Sequence, residues 1–507
     1  MAGTSSKTLL LLSTALAAAA PAAAVELPPR VNPAFAAYVS SPVIAARAFT
    51  PLSAAPAPAP RRPLGHIPSP VEFSRLAGRD FSRAISGRAS VSGVTPPVSF
   101  SQTYDLRALG RLTAVRNQGS YGDCWSFATL ASMESWLMPG ETRDFSESNI
   151  AKNSGFDGDP INDGGNSSMS SAYLLRWASP VNETDDPHDA TVRTGLTVQK
   201  HSQEVRWIPP PASLNETAFK NNMKSVIESY GAVYSSIYWD YDEVDGSYTN
   251  FYNDRCTKPY GVSGSVCTCG DSCGGHAIAL VGWNDNYSAS NFVSAPPGPG
   301  AFIARNSWGA GVGESGYFYI SYYDSSLGGD SAVFKSAEAV SNYTNIYQYD
   351  TLGYTYDLGN GDAGGPDSTT EWMANIFTAS GNGNIKAAGF YTTDANTTYT
   401  IYVYTGVSAG SPRSGTLAYS ASGSFTLPGF YTVPITSEVT ATAGSRFSIV
   451  VRLTNPSYVY PVAVEKPYAS YSSGASASAG QSYYSNNGTS WSDVTSLWAN
   501  TNVCLKA

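Results

Sequence analysis

Residues 118–137 read QGSYGDCWSFATLASMESWL, and the role given to the one cysteine in that run decides how the chain is read. Cys124, Trp125, Phe127, Ala128, Leu130, Ala131, Met133, Trp136 and Leu137 recur at spacings of three and four. That is the period of a buried helix beginning near Cys124. A thiol at that end feels the positive pole of the helix dipole, which favours the thiolate. Taken alone, the stretch leaves three roles open for Cys124: a small packed core residue, half of a disulfide, or a nucleophile.

The rest of the chain supplies company for a nucleophile. Such a cysteine needs a base to take its proton, a group to orient that base, and donors for the oxyanion of acyl transfer. Of four histidines, His276 sits in GGHAIALVGWND (274–285), at the head of an apolar run that reads as a buried strand and fixes its direction. Further on comes AFIARNSWGAGVGESGYFYISY (301–322), where Asn306 follows a second strand-like run and Trp308 follows two residues later. An asparagine oxygen accepts an imidazole N–H without adding charge, and an indole beside it keeps water away.

With these residues in hand, the chain resembles the papain-like cysteine peptidases over roughly residues 101–335. Gln118 to Trp125 is similar to the family's stretch around the nucleophile, GGHAIALVGW to its histidine strand, and RNSWGAGVGESGYFYI to its asparagine block. The resemblance implies an α+β papain-like fold, a helical subdomain beside a β-barrel-like one. It also implies Cys124 as nucleophile, His276 as base and later proton donor, and Asn306 as the residue that orients the imidazole. Gln118 would donate to the oxyanion together with the Cys124 backbone N–H, and Trp308 would shield the His–Asn bond. NDGGNSS (162–168) resembles the segment in which Gly164 and Gly165 let a peptide substrate approach the backbone. No cofactor and no metal are implied.

Departures from the pattern are informative. Where the family carries a disulfide beside the nucleophile, this chain has Tyr121 and Asn162, so both halves of the bridge are replaced together. The residue before the nucleophile is Asp123, whose charge opposes thiolate formation unless it points to solvent. Cys256, Cys267, Cys269 and Cys273 crowd a short window ahead of His276; two local disulfides are expected there, with a zinc site as the alternative. Connectivity is open on sequence alone, and Cys504 reads as an unpaired thiol.

Composition frames these motifs. The chain has 507 residues, long enough for two or three domains, a net charge of -9, and only 14% charged residues, which argues against a nucleic-acid role. Lys7, the apolar stretch Leu9 to Ala20 and Ala22-Ala23-Ala24 form a secretory signal pattern with a cut ahead of Val25. No later run is apolar enough to span a membrane, so a secreted, extracellular location is expected. The expected domains are a signal peptide (1–24), a mostly extended leader or propeptide (25–100), the peptidase (101–340) and an all-β sandwich or jelly roll (341–507). Within the leader, PLGHIPSPVEFSRL (63–76) is placed as an extended segment able to block the cleft.

The last domain is inferred from short alternating runs such as TYTIYVYTG (398–406) and RFSIVVRL (446–453), separated by Gly, Ser, Asn and Pro. Its layout is similar to the lectin-like modules that follow this peptidase domain in some exported bacterial proteins. That likeness implies a carbohydrate or cell-surface partner, with Tyr483, Tyr484, Trp491 and Trp498 read either as sugar-stacking residues or as sandwich core. The expected function is a secreted cysteine endopeptidase acting on protein or peptide substrates through a Cys124 thioester. The alternative is an adhesion or glycan-binding protein whose peptidase-like domain is inactive.

Overall fold

A computed structural model describes residues 31–41, 62–87, 98–269 and 273–507; the secretory pattern in residues 1–24 lies outside them. The helix Cys124–Leu137 begins at the cysteine, as the periodicity predicts, and is buried from Cys124 through Ser135. A helix buried on every side, its serines, Thr129 and Glu134 included, needs cover on every side. Shorter helices, Glu147–Asn153, Pro160–Asp163 and Ser167–Leu175, cover one flank, and the strands Val233–Asp240, Cys273–Asn284 and Ser331–Ala339 cover the other. The serine-rich helix Ser167–Leu175 is started by Asn166, whose side chain accepts the Met169 N–H. Its small residues allow close approach, and the Thr129 hydroxyl of the central helix donates to Ser170 Oγ at 2.7 Å.

The strand Cys273–Asn284 is the axis of the main sheet. It pairs antiparallel with Val233–Asp240, placing His276 opposite Ile237. On its other side Ala301–Arg305 pairs antiparallel, with Ala279 opposite Arg305 and a register shift between Leu280 and Gly282. Thr103–Asp105 also pairs with this strand, and it comes so close that a Cβ on Gly282 would lie 2.2 Å from the Tyr104 carbonyl oxygen. Asn306 then falls at the first position past a strand end, beside the His276 strand.

The C-terminal half is all-β apart from two short 3-10 turns, as its alternating runs predict. A six-stranded antiparallel sheet runs in the order Thr416–Phe425, Thr397–Thr405, Arg446–Thr454, Thr370–Thr378, Ser482–Ser485, Ser492–Asp493. Its inner face (Met373, Ile401, Val403, Ile449, Val451) shares a core with Ala388, Phe390 and Phe430 of a facing layer. Tyr483 and Tyr484 are buried, in keeping with the core reading. Trp498 is partly buried and stands edge-on to Tyr356 at 5.3 Å.

That facing layer belongs to the main sheet. Ala387–Thr392 pairs with Gly429–Pro434, and Gly429, Phe430 and Tyr431 pair in turn with Arg206, Val205 and Glu204 of the strand Lys200–Trp207. One eleven-stranded sheet therefore runs through both halves, although composition changes sharply near residue 346. The join is close: a Cβ on Gly429 would lie 2.3 Å from the Val205 carbonyl oxygen.

The N-terminal segment binds both halves. Phe35 of the short helix Pro33–Val39 packs edge-on against Tyr468 and Tyr471, with centroids 5.7 and 4.8 Å away. Arg75 lies over the Tyr458 ring at 3.8 Å, and the Phe81 N–H donates to Asn222 Oδ1 at 2.7 Å. Residues 62–73 are extended except for one bridge, whereas Pro33–Val39, Ser74–Leu76 and Ser82–Ile85 form short helical turns. Gly429→Ala should push the joined strands apart, lowering the unfolding free energy by roughly 1–3 kcal/mol and speeding protease cutting between the halves; urea titration and limited trypsin digestion measure both.

Candidate active site

Cys124 sits at the first turn of the central helix with its side chain fully buried. Its Sγ accepts the Ala277 N–H at 3.3 Å, which sets the thiol against the backbone next to His276. The His276 Nε2 lies 2.9 Å from Asn306 Oδ1, and that oxygen also accepts the Ser307 N–H at 2.8 Å. Because Oδ1 can only accept, Nε2 is the protonated nitrogen of the neutral ring. Nδ1 then carries the lone pair, and it is buried with no hydrogen-bond partner. Trp308 stacks on the imidazole at 4.8 Å and Trp239 stands edge-on at 5.7 Å, so the His–Asn bond is sealed by two indoles. Sequence reasoning found Trp308 and missed Trp239, which is distant in sequence and carries no motif.

Gln118 is wholly buried beside this group. Its Oε1 accepts the Ser307 hydroxyl, and its Nε2 gives one N–H to the Tyr121 carbonyl at 2.7 Å. A primary amide has a second N–H left for an oxyanion. Where the family bridge is replaced, the Gly122 N–H donates to the Ile161 carbonyl at 2.8 Å, so a main-chain bond ties the same two segments. Gly165 lies against the indole of Trp125, and a Cβ there would come within 2.4 Å of the ring. The bare Gly164-Gly165 backbone is thus required from beneath, by the tryptophan after the nucleophile, as well as by what lies above it.

Above it lies the chain's own N-terminal segment. Trp308 Nε1 donates to the Pro63 carbonyl at 3.1 Å, and the Gly65 and His66 amides donate to the Gly275 carbonyl at 3.1 and 3.0 Å. Gly165 N–H donates to Gly65 O at 2.9 Å and Ile67 N–H to Gly165 O at 3.0 Å, a parallel bridge centred on His66. A Cβ on Gly65 would sit 1.7 Å from the Gly122 carbonyl oxygen. The first part of the 63–76 run fills the cleft as expected, whereas Ser74–Leu76 at its end forms a 3-10 turn.

The imidazole of His66 enters a buried pocket in which Nε2 is 3.1 Å from Asp330 Oδ2 and Tyr260 and Tyr234 have ring centroids 5.6 and 6.2 Å away. Asp330 is fixed by the Ser167 hydroxyl at 2.5 Å and the Ser167 N–H at 3.1 Å. Neither His66 nor Asp330 stood out in the sequence; the rarity of histidine was the one signal available.

Burial sets the charges in the covered cleft. Burial pushes the Cys124 thiol up to about 12, against smaller opposing contributions from backbone amides including Gly65. Burial also lowers His276 to about 4, the Asn306 bond opposing it. At neutral pH the covered pair is therefore thiol and imidazole, not thiolate and imidazolium. Asp123 is fully buried, with Oδ2 2.8 Å from His188 Nε2; it turns into the helical layer and away from solvent.

The structure joins Cys256 to Cys267 and Cys269 to Cys273, the disulfide reading of the cluster, and leaves Cys124 and Cys504 free and buried. No described helix is long and apolar enough to cross a membrane.

Comparison with known proteins fits this geometry. Residues 100–334 match the family described as papain family cysteine protease, and residues 346–507 match the lectin like domain. A clostridial cysteine protease, Cwp84, solved after propeptide cleavage, superposes with a TM-score of 0.66 at 25% identity, over 80% of this chain and 99% of that one. The chain carries a papain-family cysteine protease domain followed by a lectin-like domain. A viral cathepsin of Choristoneura fumiferana nuclear polyhedrosis virus is 27% identical over 48% of this chain and 66% of its own length. Cysteine proteinase 15A of Pisum sativum is 26% identical over 54% of this chain and 74% of its own length.

In this papain-family protease, Gly65→Val should unseat the N-terminal segment from the Gly122 carbonyl. Labelling of Cys124 by iodoacetamide at pH 7, followed by peptide mass spectrometry, should then be at least tenfold faster than in the parent chain.

Proposed function

We propose that the protein is an exported cysteine endopeptidase, held latent by its own residues 63–69 and hydrolysing peptide bonds once they leave. The reading rests on the His276–Asn306 bond sealed under Trp308, with the Cys124 thiol lodged against the Ala277 amide. When the segment departs, water and substrate enter, and the burial that holds thiol and imidazole neutral is relieved. His276 Nδ1 then takes the Cys124 proton, and the thiolate adds to the substrate carbonyl carbon, forming a C–S bond and an oxyanion. The Cys124 N–H and the Gln118 side chain donate to that oxygen. His276 gives its proton to the leaving nitrogen as the C–N bond breaks, which leaves a thioester. A water then adds to the thioester as His276 accepts its proton, and the acid product leaves with the thiolate restored.

Gly165 would pair with substrate backbone as it pairs with Gly65 and Ile67. The side chain of the residue lying opposite it would enter the Tyr234–Tyr260–Asp330 pocket that now holds His66. A carboxylate at its floor favours a lysine, arginine or histidine there, because an apolar side chain would leave Asp330 buried with one partner fewer.

We assign residues 1–24 to a signal peptide, 25–100 to the leader, 101–340 to the peptidase and 341–507 to the lectin-like domain. The relative Cwp84 is described as a surface layer associated protein. By analogy the lectin-like half would hold the peptidase at a cell surface or on carbohydrate.

Hydrolysis of a peptide library by the matured protein tests this. Cys124→Ala should abolish turnover, and Gln118→Ala should cost about 100-fold or more in kcat. A Cys124→Ala chain that still cleaved peptides would overturn the assignment. Asp330→Ser should cut the preference for a basic over an apolar residue at the pocket position by about tenfold, with little change for apolar peptides.

A further inference from the structure

Asp123 poses an electrostatic problem that the mechanism does not address. It precedes the nucleophile directly, is wholly buried, and does not use its carboxylate to cap the helix that Cys124 begins. A fixed negative charge there works against a thiolate at the next residue, and in a buried setting it does so with little screening.

The structure supplies a counterweight from a distant loop. His188 Nε2 reaches Asp123 Oδ2 at 2.8 Å, while Oδ1 is buried with no hydrogen-bond partner. The imidazole is held in place on three sides. Tyr121 and Phe127 stand edge-on to it at 5.3 and 5.1 Å, and its backbone N–H donates to Glu183 Oε1 at 2.8 Å. The charged groups facing the pair are Glu183 on the same loop and Lys152 on the helix Glu147–Asn153. Lys152 is itself committed to Asp186, at 2.9 Å. Burial raises the Asp123 carboxyl above its ordinary range and the His188 contact opposes the rise.

We propose that His188 is a positioning residue for the nucleophile: its protonated imidazole, held against Asp123, cancels the carboxylate charge beside Cys124 and so favours the thiolate. With one proton shared between them the pair is neutral. Without that proton it presents a net negative charge one residue from the sulfur, and the thiol holds its own proton more tightly. The second histidine thus acts through Asp123 and touches neither the substrate nor His276.

The inference rests on Cys124 being the nucleophile, and the two can fail separately. Were Cys124 not the nucleophile, Cys124→Ala would still hydrolyse peptides. Were the present inference wrong, hydrolysis would depend on Cys124 while the variants below left its ionisation unmoved.

The test is iodoacetamide labelling of Cys124 in the full chain between pH 5 and 9, read by peptide mass spectrometry. In the covered cleft, labelling follows brief openings, so the ratio of variant to parent rates reports thiolate content once the openings are matched. Equal hydrogen–deuterium exchange of the Gly65, His66 and Ile67 amides in parent and variants checks that match. His188→Gln keeps a hydrogen-bonding side chain but cannot carry the proton. It should slow labelling at pH 6 at least tenfold and move the acid limb of the profile upward, and adding Asp123→Asn should restore the rate to within about threefold. A His188→Gln profile superposable on the parent, or a loss that Asp123→Asn does not rescue, would overturn the proposal. If His188→Gln fails to fold, Asp123→Asn alone decides: the rate should equal or exceed the parent's, and a fall would overturn it.

Discussion

The layout follows from a helix that has almost no solvent-facing side. With Cys124 through Ser135 buried, the central helix must lie between two layers, and its N-terminus opens onto the seam where they meet. Cys124, at the first turn, therefore stands at the boundary between the layers, with the helical layer supplying Gly165 on one side and the sheet supplying His276 and Asn306 on the other. The same burial removes water from the thiol, so its ionisation depends on a few fixed groups. The filled cleft shows the consequence: burial raises the sulfur's pKa and lowers the imidazole's, so both are held neutral.

Local pattern made part of this legible. The 3.6-residue periodicity located the start of the helix at Cys124, the apolar run after His276 located its strand, and Asn306 fell just past the next strand. Each of these is written in neighbouring residues. What escaped is written between distant ones. Asp123 and His188 are 65 positions apart and meet across a loop with no period; Asp330 meets Ser167 across 163. Trp239 reaches the imidazole from a strand whose apolar run looks like any core strand. The joining of Gly429–Tyr431 to Glu204–Arg206 was hidden for the same reason, because strand pairing leaves no mark on composition. The compositional break near residue 346 was read as an architectural one, and the sheet crosses it.

Two histidine–carboxylate contacts flank the catalytic group without belonging to it. His66 meets Asp330 in the pocket beyond Gly165, and His188 meets Asp123 behind the nucleophile. The first is made by the segment that covers the cleft. The second is made by the folded helical layer.

The sheet that crosses both halves also bears on how the fold guards itself against association. The strand Lys200–Trp207 has Ser331–Ala339 on one side and Gly429–Tyr431 of the lectin-like half on the other. Without that second neighbour it would be an edge, with a row of open amides and carbonyls next to Val205 and Trp207. Unprotected edges of this kind recruit strands from other molecules. The lectin-like half thus acts as a built-in edge cap, closing a strand of the peptidase sheet that would otherwise lie open.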